Sequence, residues 1–304
     1  MIYWLHLAGR RVAAVLPLGG SYALAAGGAS LVYWLWPAKR RNAVANLRQL
    51  LGPARAGEAD GLARAAFRNY GRYLIDMLRL SAAQLRELEQ RLTVYGIEHV
   101  AAAQARGRGV IFVGGHIGNS DVGGAILAGR GYPAYVIAET LHPPRWNALV
   151  QSTRRETGMR VIPAESSARE ILRVLRRNEV LAFLVDRPTH LESAGVPVRF
   201  FGAWTRVPSG AATLALRTGA SLIAACVVRA GRGYEVHISA PVEVERTGNL
   251  QADIQALTQQ VMAALEAFIR QYPDQWFMFR PMWPAAEAER RGMPALDRRA
   301  GEAG

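Results

Sequence analysis

The sequence predicts an α/β protein with a mostly parallel central sheet flanked by helices. Short apolar, β-branched runs, which are typical of buried parallel strands, occur at 109–113, 134–138 and 180–185. The first two runs lead directly into segments that start helices, and this alternation favours a parallel sheet. The chain has 304 residues, which permits one large α/β domain or two small ones, and its 50% of hydrophobic residues is ample for a core.

The first apolar run ends in a turn that carries the most chemically informative residues. Gly114 and Gly115 end the strand, so His116 is delivered at its carboxyl end. Asn119 is a good helix N-cap, which places Asp121 in the first turn of the next helix. We expect the Asp121 carboxylate to accept a hydrogen bond from one imidazole nitrogen, leaving the other to take a proton from a substrate hydroxyl. A solvated histidine beside a capping aspartate explains the spacing equally well.

Charged side chains follow the next two strands as well. Glu139 comes directly after the run at 134–138, and Asp186 and Arg187 come directly after the run at 180–185. Because ligands of α/β proteins gather at the carboxyl ends of the strands, we expect these side chains near the substrate.

Arginine dominates the charge of the protein. The net charge is +13, and Lys39 is the one lysine in the sequence. Arginine forms bidentate pairs with phosphate, so the charge indicates an anionic membrane surface or a phosphorylated substrate. No nucleic-acid-binding motif is present, and we expect no nucleic-acid partner. Cys226 is the single cysteine, so we expect no internal disulfide and no metal site.

The N-terminal region is long and uncharged from residue 12 to residue 38. Its length is enough to cross a bilayer, but Pro17 and two Gly-Gly pairs interrupt it, and basic residues flank both ends. A helical hairpin lying in one leaflet, at the cytoplasmic face of the inner membrane, is therefore the preferred interpretation. A buried helical pair that caps the core is the alternative. The predicted organisation is a membrane-associating segment (1–41), an α/β domain (42–283) and a disordered polar tail (284–304).

The turn around His116 resembles a known family. Its phrase, Gly115-His116-Ile117-Gly118-Asn119-Ser120-Asp121, is similar to the His-x4-Asp/Glu signature of glycerolipid-type acyltransferases. It looks most like the branch that holds the late lipid A acyltransferases and the phosphatidylinositol mannoside acyltransferase, whose members often carry tryptophan where this chain has Ser120. Similar phrases extend the resemblance from about Tyr33 to Trp283. They are Asn42-x-x-x-Asn46-Leu47, Phe200-Phe201-Gly202 and Tyr272-Pro273-x-x-Trp276.

The resemblance implies a glycerolipid acyltransferase-like fold and an enzyme without a cofactor. It implies transfer of a fatty acyl group from acyl-CoA or acyl-carrier protein to a hydroxyl of a glycolipid or phospholipid. The base would be His116, assisted by Asp121, and Arg187 or backbone N–H groups would hold the oxyanion. In the family an arginine before Glu and Gly is associated with the polar headgroup, which points to Arg155, and to Arg154 as second choice.

The family also has an acid-Arg pair before Phe-Phe-Gly. Asp186 and Arg187 match this pair, and Glu192 is a second candidate for the acid. Asp121 in place of Glu, together with Phe200-Phe201-Gly202, favours a phosphatidylinositol-mannoside-like acceptor over a lipid-A-like one.

Three other functions stay open at this point. A lysophospholipid acyltransferase would share the same motif. A serine hydrolase would use Ser120, but Val122 replaces the final glycine of the nucleophile elbow and disfavours it. A non-catalytic lipid-binding protein is kept open by Ser120 at the family's tryptophan position.

Overall fold

The computed structural model describes residues 2–165, 168–189 and 195–283, without the side chains of residues 82 and 83. Glu192 and the predicted tail at 284–304 lie outside the described residues. The strands are β1 (Leu92–Tyr95), β2 (Val110–Gly114), β3 (Ala134–Ala138), β4 (Arg160–Pro163), β5 (Val180–Leu184), β6 (Gly195–Phe200), β7 (Ala203–Pro208), β8 (Ser221–Ala230) and β9 (Gly233–Pro241).

Seven strands form the central sheet, in the order β1-β9-β8-β2-β5-β3-β4. The β8–β9 hairpin is antiparallel, and the other neighbours in this sheet are parallel. The remaining two strands, β6 and β7, pair with each other as a separate antiparallel ribbon. The predicted α/β class with a mostly parallel sheet is therefore confirmed. In this order β5 lies directly beside β2, which brings their carboxyl ends together.

Helices cover both faces of the sheet. They are α1 (Ile2–Val15), α2 (Leu18–Leu35), α3 (Pro37–Leu51), α4 (Ala59–Arg79), α5 (Ala82–Glu89), α6 (Ile97–Ala105), α7 (Ser120–Gly129), α8 (Pro144–Glu156), α9 (Ala168–Arg176), α10 (Gly210–Thr218) and α11 (Leu250–Gln271). Because side chains alternate along a strand, Ile111 and Val113 of β2 join a core with α10 and α11, whereas Val110 and Phe112 join a core with α6 and α7.

The N-terminal helices pack against the α/β domain along α4. Pro17 separates α1 from α2, as its position in the sequence predicted. One face of α2 is buried, including Ala26 and Tyr33. The crossing is so close that a Cβ atom at Gly71 of α4 would lie 2.6 Å from the Ala25 carbonyl oxygen. Within the described part of the chain, no helix has both the length and the apolar character needed to span a bilayer.

Candidate active site

His116 lies in the tight turn between β2 and α7, and the glycines around it make the turn possible. Gly118 has φ +62°, and a Cβ atom there would lie 1.9 Å from the carbonyl oxygen of Val227. A Cβ atom at Gly115 would lie 3.0 Å from the Oδ2 atom of Asp186. The turn therefore packs directly against the backbone of β8 on one side and against a carboxylate on the other.

Backbone hydrogen bonds hold this turn in place. The His116 carbonyl accepts the N–H of Phe277 at 2.7 Å, and the Gly118 N–H donates to the Gln275 carbonyl at 2.9 Å. The Asn119 N–H donates to Val227 at 2.7 Å. The segment after α11 thus fixes the position of the histidine backbone together with β8.

The partner of the imidazole is Asp186, at the end of the neighbouring strand β5. Nδ1 of His116 lies 2.6 Å from Oδ1 of Asp186. The other carboxylate oxygen, Oδ2, accepts the His116 backbone N–H at 2.8 Å and the Trp276 indole N–H at 3.1 Å. Asp186 is fully buried.

Asp186 is ionised in this environment. Its burial opposes ionisation, but the His116 imidazole and the hydrogen bonds from His116 and Trp276 outweigh burial and lower the pKa of the carboxyl group. An ionised carboxylate only accepts hydrogen bonds, so Nδ1 carries the proton. The imidazole is 19% exposed, and no described residue bonds its Nε2.

Asp121, the residue expected to orient the imidazole, has other partners, so that part of the prediction is wrong. Its carboxylate accepts the Tyr73 hydroxyl at 3.0 Å and Nε of Arg154 at 2.7 Å. The start of α7 aims this buried side chain towards α4 and α8, whereas Asp186 reaches the imidazole from the adjacent strand. Burial raises the pKa of Tyr73, so its hydroxyl keeps the proton that it donates to Asp121.

The two arginines near the end of α8 are in different environments. Arg154 is 18% exposed and pairs with Asp121. Burial alone would lower the pKa of Arg154, but Asp121 outweighs burial and the pKa is raised. Arg155 is exposed, and no described residue bonds its side chain. The structure therefore connects Arg154, the second choice from sequence, to the acid of the motif.

Replacing each arginine in turn tests whether the two environments contribute differently to stability. Arg154→Ala leaves the Asp121 charge buried without its cation, and we expect it to lower the free energy of unfolding by about 3 kcal/mol. Arg155→Ala, the matched control on the same helix, is expected to change it by less than about 0.5 kcal/mol. Urea unfolding of both variants measures the difference, and equal effects would contradict a buried Arg154–Asp121 pair.

The comparison with known proteins shows the family of this chain. The model of bacterial lipid A biosynthesis acyltransferases matches residues 1–284. The chain belongs to this family. It is 31% identical over 250 residues to the phosphatidylinositol mannoside acyltransferase of Mycolicibacterium smegmatis, covering 81% of this chain and 80% of the relative. The protein is therefore an acyltransferase.

Two further relatives show the breadth of the similarity. The phosphatidylinositol mannoside acyltransferase of Mycobacterium tuberculosis H37Rv is 32% identical over 252 residues, which cover 81% of this chain and 78% of the relative. The lipid A biosynthesis acyltransferase of Haemophilus influenzae is 25% identical over 196 residues, covering 63% of this chain and 58% of the relative.

Glu139 and Arg187 form an ion pair at the same edge of the acyltransferase sheet. Arg187 Nη1 lies 2.9 Å from Glu139 Oε2, with side-chain exposures of 35% and 64%. Both residues follow the carboxyl ends of their strands, as predicted. The neighbouring residues Asp186 and Arg187 thus lie in different environments. Asp186 is buried and bonds the His116 imidazole, whereas Arg187 is half-exposed. An exposed pair of this kind contributes about 0–1 kcal/mol, so a ligand can displace Glu139 from Arg187 at low cost.

Ser120 has no activating partner among the residues that the structure describes. It is the exposed first residue of α7, and no described histidine or carboxylate bonds its hydroxyl. A nucleophilic serine requires an adjacent base. The local geometry thus argues against the serine hydrolase alternative, in agreement with membership of the acyltransferase family.

An aromatic cluster beside His116 was missed from the sequence. Tyr70 and Tyr73 of α4 stack at 5.5 Å, and Phe277 lies 5.3 Å from Tyr70 and 5.9 Å from Tyr73. Trp276 is buried and also donates to Asp186. The sequence does contain features that could have indicated these contacts. Tyr70 and Tyr73 lie three residues apart on one face of α4, and Trp276 is the last residue of the Tyr-Pro-x-x-Trp phrase.

Proposed function

We propose that the protein transfers a fatty acyl group from acyl-CoA or acyl-carrier protein to a hydroxyl of a glycolipid. One observation carries the chemistry. In a member of an acyltransferase family, His116 has Nδ1 bonded to a buried carboxylate, and its Nε2 has no partner among the described residues. That arrangement makes Nε2 a general base for a hydroxyl supplied by the substrate.

The proposed reaction needs no protein nucleophile. Nε2 of His116 takes the proton of the acceptor hydroxyl as its oxygen attacks the carbonyl carbon of the thioester. The carbon–sulfur bond then breaks, and the proton passes from Nε2 to the leaving thiolate. Asp186 stabilises the imidazolium between these steps because its lowered pKa keeps it negatively charged.

The oxyanion of the tetrahedral intermediate needs positively polarised donors at the same edge. Arg187 follows Asp186 directly, and its ion-pair partner among the described residues is the more exposed Glu139. The backbone N–H groups of the first turn of α7 start immediately after the His116 turn. We assign this role to Arg187 or to these N–H groups, because fixed donors in a partly buried site stabilise developing charge.

The preferred acceptor is a phosphatidylinositol-mannoside-like glycolipid. Two relatives that match this chain over more than three-quarters of their own length are named phosphatidylinositol mannoside acyltransferases. Purified protein should be incubated with palmitoyl-CoA and, separately, with phosphatidylinositol mannoside, a lipid A precursor and a lysophospholipid. Mass spectrometry should detect addition of one acyl chain to the mannoside. Acylation of the lysophospholipid alone would overturn the glycolipid assignment.

We also propose that α1 and α2 seat the protein on the cytoplasmic face of the inner membrane. Most large apolar side chains that the described part exposes lie between residues 2 and 36. Leu24, Leu31 and Leu35 share one exposed face of α2. The Arg64 guanidinium carbon lies over the partly exposed ring of Trp34, 4.9 Å from the ring centroid. An apolar face bordered by aromatic rings and arginines is suited to an anionic lipid surface.

Removing the apolar face should weaken membrane binding without unfolding the protein. Leu31→Ser combined with Leu35→Ser is expected to lower the partition onto phosphatidylglycerol vesicles by about 10–100-fold, because two side chains lose burial in lipid. Leu250→Ser, at an exposed leucine of α11, is the control and should leave binding unchanged. Vesicle co-sedimentation measures both variants. Equal binding by wild type and the double variant would contradict the assignment of α2.

A further inference from the structure

Another buried carboxylate, Asp76 of α4, lies at the centre of a hydrogen-bond network that the proposed chemistry does not use. Its Oδ1 accepts the Tyr22 hydroxyl at 2.5 Å. Its Oδ2 accepts hydrogen bonds from the Arg229 guanidinium and from the Tyr234 hydroxyl. Arg229 also donates to the Tyr234 hydroxyl at 2.8 Å. We call Tyr22, Asp76, Arg229 and Tyr234 the Asp76 network, and it joins α2, α4, β8 and β9.

The inner end of the Asp76 network reaches the His116 turn. The Asn119 side-chain amide donates to the Tyr234 hydroxyl at 3.2 Å, while its Oδ1 accepts the Val122 N–H at the start of α7. Asn119 follows His116 by three residues and is itself buried. A displacement of Tyr234 therefore acts on Asn119, which caps α7 and ends the His116 turn.

A second link runs through the backbone of Arg229. Its N–H donates to Gln275 Oε1 at 2.8 Å, and Gln275 Nε2 donates back to the Arg229 carbonyl at 3.0 Å. The backbone carbonyl of Gln275 accepts the Gly118 N–H of the turn. The Asp76 network thus reaches the His116 turn by two routes, through Tyr234 to Asn119 and through Gln275 to Gly118.

The outer end of the network is Tyr22, on the same helix as the exposed leucines of α2. The Arg229 guanidinium lies over the Tyr22 ring at 4.7 Å and over the Tyr234 ring at 4.9 Å. Tyr22 is therefore fixed by its ring as well as by its hydroxyl. A shift of α2 moves the first donor of a chain that ends at Asn119.

We infer that the Asp76 network transmits the seating of α2 on a lipid surface to the His116 turn, with Tyr22, Asp76 and Tyr234 as positioning residues. This inference rests on the proposed function, because it assumes that α2 meets lipid and that His116 is the base. A ligand shifts a conformational equilibrium only if it prefers one state, and a bilayer prefers the seated position of α2. Misplacing a catalytic group by about 1 Å costs up to about 10²-fold in rate, so a small adjustment of the turn is enough to matter.

The test uses bicelles of phosphatidylcholine and phosphatidylglycerol with substrates that do not partition into them. With hexanoyl-CoA and a water-soluble inositol mannoside, bicelles should raise the kcat of the full-length protein by about 10-fold, at little change in KM. The same bicelles should shift the nitrogen-15 NMR signals of the His116 imidazole. Concentration of substrate on the surface cannot cause either effect.

Tyr22→Phe removes one hydroxyl from Asp76 and keeps the ring, and it should abolish both the stimulation and the NMR shift while co-sedimentation with lipid is unchanged. Tyr234→Phe, which cuts the link to Asn119, should give the same loss. Tyr132→Phe is the control, since no described residue bonds that hydroxyl. It should respond to bicelles as wild type does.

Tyr22→Phe that responds like wild type, or a wild-type imidazole whose signals do not shift, would overturn the inference. The NMR readout does not depend on turnover. Failure of the proposed function is seen separately, as wild-type protein that acylates no acceptor with or without bicelles.

Discussion

His116→Ala is expected to lower the rate of acyl transfer by about 10²–10⁴-fold, because it removes the base that takes the acceptor proton. The fold should persist for two reasons. The imidazole is partly exposed, and backbone hydrogen bonds hold the turn that carries it. Steady-state transfer of a labelled acyl group measures the loss, and thermal unfolding measures the stability.

His99→Ala is the matched control for this change. His99 is a partly exposed histidine of α6 whose nearest charged partner, Glu98, is 4.0 Å away. We expect its activity to equal that of wild type. Transfer by His116→Ala at the wild-type rate, with the fold intact, would mean that the imidazole is not the base.

Asp186→Asn is expected to cost about 10²–10⁴-fold, comparable to loss of the histidine itself. The backbone N–H of His116 and the indole N–H of Trp276 both point at one carboxylate oxygen. The asparagine oxygen must take that place, which turns its NH₂ group towards Nδ1. Nδ1 must then accept a hydrogen bond, so the neutral imidazole carries its proton on Nε2 and cannot act as a base there. Single-turnover transfer from palmitoyl-CoA measures the rate.

Asp121→Asn serves as the isosteric comparison. Its oxygen can still accept from Arg154, and the Tyr73 hydroxyl can turn to accept from the new NH₂ group. We therefore expect a loss of less than about 10-fold, although the motif spacing alone predicts a loss as large as that of His116→Ala. A larger loss for Asp121→Asn than for Asp186→Asn would contradict the Asp186 assignment.

The local elements could be predicted from the sequence because their signals are local. The strand at 134–138 and the helix from Pro144 to Glu156 follow from a β-branched run and from proline at the first helical turn. Pro208 shows the limit of this rule: proline is typical of the first turn of a helix such as α10, but Pro208 ends β7, where it pairs with Gly195. A proline is acceptable at either place, and only the partner strand decides.

The partner of His116 could not be predicted in the same way. Asp186 was correctly placed at the carboxyl edge of the sheet, but 70 residues separate it from His116. Which strand lies beside β2 depends on the strand order, and β5 is inserted between β2 and β3. Asp121 is nearer in the chain, yet helical geometry directs it towards Tyr73 and Arg154. The sequence thus indicated which charged residues lie at the site, but not which residue each of them bonds.

The faces of the N-terminal helices are compatible with both interpretations that the sequence allowed. Tyr33 and Ala26 are buried against the domain, as a capping pair requires, while Leu31 and Leu35 face outwards, as a membrane contact requires. Composition alone cannot separate these faces, because alanine occurs on both. The Tyr22–Asp76 hydrogen bond is a tertiary contact across 54 residues and has no local signal.

Nitrogen-15 NMR of the histidine-labelled protein tests most directly the claim that Asp186 prepares Nε2 of His116 to accept a proton. At a pH where the ring is neutral, the wild-type signals should show a protonated Nδ1 and an unprotonated Nε2. Asp186→Asn should reverse this pattern, and Asp121→Asn should leave it unchanged. A wild-type imidazole with its proton on Nε2, or a tautomer that responds to Asp121→Asn and not to Asp186→Asn, would contradict the account.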